Sequence, residues 1–246
     1  MATTKRHDGR RADELRAVRI TTGFVGSADG SCLMEMGRTR VICTACFVPG
    51  VPEWRKGGGK GWMTAEYGML PASTNTRKAR PLSKPDGRAV EIQRLIGRVM
   101  RMVLRLDKLG ENTVYLDCDV LEADGGTRTA AITGSYVALA QAIAKAARKG
   151  KCAASALSGR VAAVSVGVVD GRTLLDLDYA EDSRAEVDLN LAMTAGGRFV
   201  EVQATAERAA FGAPQLQQML RLGARGIRRL LAEQRAALRT AGADER

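Results

Sequence analysis

The chain has 246 residues, of which 45% are apolar and 26% charged, enough hydrophobic mass to fill a real core and too much for a disordered chain. No run approaches the roughly 18 consecutive apolar residues of a membrane span, and the polar residues 1–11 lack the apolar stretch of a secretory signal, so a cytoplasmic protein without a membrane partner is expected. Lys and Arg number 38 against 27 Asp and Glu, a net charge of +11, which points to an anionic partner, with nucleic acid first. A single histidine, His7 in the polar N-terminal stretch, removes the usual residue of hydrolase triads and His-rich zinc sites. Carboxylates, arginines, backbone amides or a hard metal must then carry any chemistry.

Residues 18–25, 31–36 and 39–48 read as short β-type runs separated by glycine turns, the pattern of a meander. Cys43 and Cys46 form a C-x-x-C within the third run, where an offset of three places them on opposite faces of a strand, so core packing is expected rather than redox or metal chemistry. A glycine-rich loop at 56–61 leads into 62–69 and is no Walker A motif, because Gly61 stands where Ser or Thr would have to follow the lysine. Residues 75–85 are polar, basic and interrupted by proline, as an exposed loop should be. The spacing of Ile92, Leu95, Ile96, Val99, Val103 and Leu104 predicts an amphipathic helix with arginines on its other faces. Alternation from Val114 to Val120 predicts a strand ending in Glu122-Ala-Asp-Gly-Gly126, and an Ala-rich helix follows at about 127–148. Strands are expected at 161–169, 174–177, 187–193 and 199–204, then a long helix at about 214–238. Strands and helices interleave without strict alternation, so the expected class is α+β with helices on mixed sheets. Residues 150–158 are weakly patterned and could join two parts, 1–150 and 159–246, of one domain spanning 1–246.

The charge is uneven along the chain. Residues 77–108 hold ten basic side chains, among them Arg77, Lys84, Arg88, Arg94 and Arg98, against three acids, a net +7. This is either a solvated face or a surface that tracks phosphates. With 4% aromatics, contact with a nucleic-acid backbone is expected over extensive base stacking. Residues 170–188 reverse the sign, with seven acids against two arginines. They are either exposed turn acids or an acidic pocket for Mg²⁺ or Mn²⁺, with Asp182 in a turn and Asp188 on the following strand aimed at one point. At Asp124-Gly-Gly-Thr-Arg-Thr129 a strand passes through paired glycines straight into a helix, which gathers backbone amides, helix dipole and hydroxyl in one small volume. Arg128 in the first helical turn opposes the macrodipole. It is either simply solvated or makes sense with an anion between it and the amides.

A basic surface, an anion nest and a carboxylate pair are together what metal-assisted phosphoryl transfer on nucleic acid needs. From about Arg6 to Leu238 the chain resembles the ribonuclease PH family of phosphate-dependent exoribonucleases. The resemblance rests on Asp8-Gly-Arg-Arg-Ala-Asp-Glu-Leu-Arg16, Thr64-Ala-Glu-Tyr-Gly-Met-Leu-Pro71, Glu91-Ile-Gln-Arg-Leu-Ile-Gly-Arg98, Leu116-Asp-Cys-Asp-Val120, Ala123-Asp-Gly-Gly-Thr-Arg-Thr129, Glu181-Asp-Ser183 and Glu201-Val-Gln203. It implies a mixed-sheet βαβα sandwich with left-handed βαβ crossovers, and phosphorolytic 3′-to-5′ trimming of tRNA precursors and other RNA 3′ ends that releases nucleoside 5′-diphosphates and is reversible. It also implies inorganic phosphate at Arg88, Gly126, Thr127 and Arg128, Mg²⁺ or Mn²⁺ at the catalytic Asp182 and Asp188, RNA at Arg77, Arg80, Arg94 and Arg98, and a homohexamer built as a trimer of dimers. Ala72, Ala204 and Arg208 depart from the family pattern. The alternatives are an exosome-type ring subunit and a non-catalytic RNA-binding scaffold.

Overall fold

The structure, a computed structural model, describes residues 6–80 and 86–242; Lys84, part of the expected basic loop, lies outside them. Strands β1 (Val18–Thr22), β2 (Gly30–Met36) and β3 (Thr39–Pro49) form the expected meander, followed by β4 (Trp62–Met69), helix α1 (Gly87–Arg101), β5 (Asn112–Glu122) and helix α2 (Thr127–Arg148). Then come β6 (Val161–Val169), β7 (Arg172–Leu175), the one-turn helix α3 (Tyr179–Asp182), β8 (Val187–Thr194), β9 (Phe199–Ala206) and the long helix α4 (Ala213–Thr240).

The strands make two sheets, ordered β1-β2-β3-β5-β4 and β7-β6-β8-β9. Every described pairing is antiparallel except β4 with β5, which α1 connects as a βαβ crossover. Helix α2 lies between the sheets and is buried on nearly all sides from Thr127 to Ala146. Its alanines and Gly134 let strands approach closely: a methyl group at Gly134 would sit 2.7 Å from Cys43 Sγ. A helix surrounded by apolar neighbours needs such small residues on every face rather than one apolar stripe. Helix α4 covers the second sheet, with Gly223 and Gly226 against Leu191 and Leu175.

Cys32, Cys43 and Cys118 sit side by side on β2, β3 and β5 in the core, while Cys46 faces the other way. The neighbouring Cys43 thiol and burial push the Cys118 thiol well above its ordinary value, which makes these packing groups rather than reactive ones.

Strand β7 begins and ends two residues earlier than expected, at Arg172–Leu175, and three further differences from the sequence pattern bear on packing or on the site. Strand β1 stops at Thr22 because Gly23 turns the chain with φ +69°, leaving Phe24 exposed. Helix α1 ends at Arg101, so Val103 and Leu104 are buried from an irregular segment, Leu104 by a bridge to Leu157. The residue expected in a turn, Asp182, closes α3. Among the described residues no helix is long and apolar enough to cross a membrane.

Candidate active site

The glycine pair is held where strand β5 hands over to α2. Gly125 and Gly126 have φ of +76° and +64°, a conformation that costs any residue with a Cβ. At Gly125 a Cβ would also lie 2.7 Å from the Asp178 carbonyl carbon and the Leu177 oxygen. Arg16 donates to the carbonyls of Asp124 and Gly125, and Thr39 donates to Gly125 O at 2.7 Å while accepting from Asp124 N. Arg16 is itself fixed by two-pronged contact with Asp176, which is fully buried. With those carbonyls engaged and no side chain capping α2, the first amides of α2 are left available at the pocket. Tyr67 donates to Thr127 Oγ1 at 2.9 Å, fixing the first residue of the helix.

The pocket beside this turn has a volume of about 390 Å³ and is lined by Arg88, Gly126, Thr127, Arg128, Asp182 and Asp188, together with Ser165, Ser183, Ala185, Asn190, Glu207 and Arg208. All six residues expected at the phosphate and carboxylate sites therefore meet in one volume, from α1, α2, α3 and β8. Arg88 and Arg128 each occupy the second position of their helix, where the macrodipole disfavours a cation. Two arginines so placed around one pocket leave a strongly anion-attracting volume. Arg128 is 13% exposed and its guanidinium meets Gln203 Oε1 at 2.9 Å and Glu91 Oε1 at 3.5 Å. It is thus a braced side chain rather than the solvated one the sequence left open.

The carboxylates oppose this positive wall. Asp188 Oδ2 accepts from Asn190 at 2.9 Å, while its Oδ1 is buried without a hydrogen-bond partner. Burial, with the neighbouring Asp182 charge, pushes its carboxyl up to about 6, against a lowering pull from Arg128. Asp182 keeps access to solvent. The walls of the cleft still raise its carboxyl above the ordinary range, although Arg88 and Arg128 pull it down.

The seven acids of 170–188 do not form one pocket. Asp176, Asp178 and Glu181 are buried and face away, toward the N-terminal segment. Glu181 pairs with Arg6, Asp176 with Arg16, and Arg10 lies within 3.7 Å of Asp176 and Asp178. His7, distant in sequence from the acidic segment, stands 3.1 Å from Asp178 and 3.8 Å from Glu181. These carboxylates are compensated by arginines and have a structural use: Asp178 and Glu181 form a reciprocal capping box that fixes α3, and with it Asp182.

The expected RNA-contacting arginines lie elsewhere. Arg77 and Arg80 are exposed on the basic loop, and Arg80 lines a separate cleft with Tyr67, Met69 and Asp119. Arg94 is exposed on α1, whereas Arg98 makes a two-pronged pair with Glu201 at 3.0 Å. Sequence reasoning did not place Ser165, Asn190, Glu207 or Arg208 in the pocket. For Arg208 the only signal was its departure from the family pattern.

An α+β sandwich that brings the uncapped N-terminus of α2 and two arginines against a carboxylate pair has the parts of an enzyme of phosphoryl transfer. The sequence matches the model of the 3′ exoribonuclease family, domain 1, over residues 14–144 and domain 2 over residues 159–226, and the chain belongs to that family. It is 54% identical over 235 residues to a ribonuclease PH of Corynebacterium glutamicum (strain R), covering 95% of this chain and 96% of the relative. A chain of the Archaeoglobus fulgidus exosome, solved with RNA bound to the active site, superposes with a TM-score of 0.78 at 23% identity over 94% of this chain and 92% of that one. A chain of an archaeal exosome core gives 0.72 at 22% identity, over 92% and 89%. Those two likenesses show the shared fold. The activity is that of a phosphorolytic 3′-to-5′ exoribonuclease, a tRNA-processing nucleotidyltransferase that uses inorganic phosphate as substrate.

Proposed function

We propose that the 390 Å³ pocket is where phosphorolysis occurs, with Arg88, Arg128 and the amides of Gly126 and Thr127 holding inorganic phosphate. Its oxygen attacks the last phosphodiester phosphorus; the bond to the 3′-oxygen of the preceding nucleotide breaks, and a nucleoside 5′-diphosphate leaves. Two anions must approach, and the arginines and the N-terminus of α2 offset their repulsion. The departing 3′-oxygen needs a proton, and Asp182, open to the cleft, is the carboxylate placed to relay one from solvent. Because a phosphoester is exchanged for a phosphoanhydride, excess nucleoside diphosphate drives the reverse addition.

Asp182 and Asp188 offer the all-oxygen donors that a hard cation prefers, and the unpartnered buried Oδ1 of Asp188 is the atom such an ion would satisfy. Mg²⁺ or Mn²⁺ held there would neutralise charge on the scissile phosphate. Arg77, Arg80 and Arg94 are the exposed cations that take the RNA backbone, joined by Arg98 when Glu201 releases it. The reading extends to tRNA precursors as substrate, a ring assembled as a homohexamer, a cytoplasmic location, and residues 1–246 acting as one unit with 1–150 and 159–246 as its two parts.

The observation that carries the site is the convergence of Arg88, Arg128, Asp182 and Asp188 on one pocket from four separate elements. Product identification tests it. A tRNA precursor incubated with phosphate and Mg²⁺ should yield nucleoside diphosphates, and Arg128→Ala should chiefly raise the phosphate concentration required. Nucleoside monophosphates released in phosphate-free buffer would replace this reading with hydrolysis.

A further inference from the structure

The second concentration of positive charge in the protein lies on α4. Six arginines (Arg221, Arg225, Arg228, Arg229, Arg235 and Arg239) face a single acid, Glu233, on that helix. Arg221, Arg225 and Arg228 recur at intervals of four and three, so they share one face along about 10 Å of helix axis. All three are exposed and line a groove of about 640 Å³ between α4, β7 and the stretch around Ala12. Asp13 is the one carboxylate in its lining, and it is engaged by Arg11 at 3.2 Å. Among the described residues none of the three arginines makes a hydrogen bond or a salt bridge, and Arg225 acts on Asp13 only through its charge.

Like charges one turn apart repel each other. Arg98 and Arg128 have Glu201 and Glu91 within reach, whereas among the described residues this row has only the charge of Asp13 near Arg225, which Arg11 already engages. We propose that the groove is a second RNA site, which takes the phosphodiester backbone of the substrate's folded body while its 3′ end occupies the catalytic pocket. The lining holds no aromatic side chain, so the groove is built for phosphates rather than stacked bases. Three exposed guanidinium groups along this row can each neutralise one backbone phosphate. A second copy of this chain related by two-fold symmetry would set this basic patch against itself; a polyanion neutralises it. The proposal rests on the exoribonuclease reading and adds to it the body of the substrate.

The test uses the full-length triple variant Arg221→Gln, Arg225→Gln, Arg228→Gln, which lies outside the catalytic pocket. Phosphorolysis of a short single-stranded oligoribonucleotide should be unchanged. For a tRNA precursor kcat/KM should fall about tenfold, carried by KM, and the slope of log Kd against log salt should shrink by about two, as expected on losing three phosphate contacts. An unchanged precursor KM and salt slope would overturn the proposal, as would equal losses on both substrates. A lower sedimentation coefficient with unaltered RNA affinity would overturn it too and make the groove an interface between copies. If the triple variant does not fold, the single Arg225→Gln should show about a third of the change in slope, and no change there refutes the groove. Failure of the parent protein to phosphorolyse the oligonucleotide would instead count against the catalytic reading, while the salt slope, which needs no turnover, still decides the groove.

Discussion

Replacing Asp188 with Asn should stabilise the metal-free protein at neutral pH while abolishing turnover. The folded environment holds the carboxyl at about 6 instead of the ordinary 3.8, because burial and the Asp182 charge both disfavour the anion. For an acid whose folded value is raised, the folded state binds more protons than the unfolded chain between pH 3.8 and about 6. Stability is therefore lost as pH rises through that window and levels off above it. The displacement corresponds to at most about 3 kcal/mol, less where water reaches the cleft. An Asn cannot ionise and still offers an acceptor to Asn190, so it escapes this cost. In a chain of this size about 2–4 °C accompanies each kcal/mol, so the variant should melt several degrees higher at pH 8 in the presence of a chelator and at nearly the same temperature as the parent at pH 4. Adding Mg²⁺ should then narrow the gap at pH 8 by stabilising the parent alone. A variant no more stable than the parent at pH 8, or a gap independent of pH, would refute the account of a strained, charged Asp188.

Gly125→Ala should destabilise by more than about 2 kcal/mol in denaturant unfolding, since it adds a Cβ both to a left-handed backbone and within 2.7 Å of Asp178. Tyr67→Phe removes the hydroxyl that holds Thr127 and should cost about 1 kcal/mol and raise the phosphate KM; a KM shift confined to RNA would contradict the placement of Thr127. Burial pushes the Glu181 carboxyl up, but hydrogen bonding and charge from Arg6, with Arg10, outweigh it and hold the group below its ordinary 4.5. Its stabilisation is therefore present above pH 4.5 and lost as pH falls through the folded value. Glu181→Gln, which leaves Arg6 buried without its partner, should cost about 3–5 kcal/mol at pH 7, with the difference from the parent shrinking below about pH 4 in acid-unfolding curves. Arg208→Ala, which takes a cation from the pocket, should raise the phosphate KM more than the RNA KM; the opposite ranking in steady-state kinetics would move this residue to the RNA path.

What the sequence made legible was local. The limits of α2 and β6 follow from signals within a few residues: paired glycines before the first helical turn and a hydroxyl opening it, and an unbroken β-type run. Where a boundary was misjudged, the apolar pattern outlived the element. Val103 and Leu104 stay buried beyond α1 because Leu104 pairs with Leu157, a contact across 53 positions that no window could register. The acidic segment shows the same limit in charge. Its seven carboxylates looked like one reservoir, but three of them are neutralised by Arg6, Arg10 and Arg16, some 160 to 175 positions away, Asp170 pairs with Arg184 and Glu186 accepts from Gly171 N, which leaves Asp182 and Asp188 as the pair proposed for chemistry. Position within a helix carried further than composition did. A cation in the second position of a helix runs against the dipole wherever the helix lies in the fold; the sequence showed this for Arg128 in α2, and the structure adds Arg88 in α1, where the Asp86 cap offsets part of the cost. Either exception alone could be a solvated side chain. Because the two helices converge on one pocket, the same anion would relieve both.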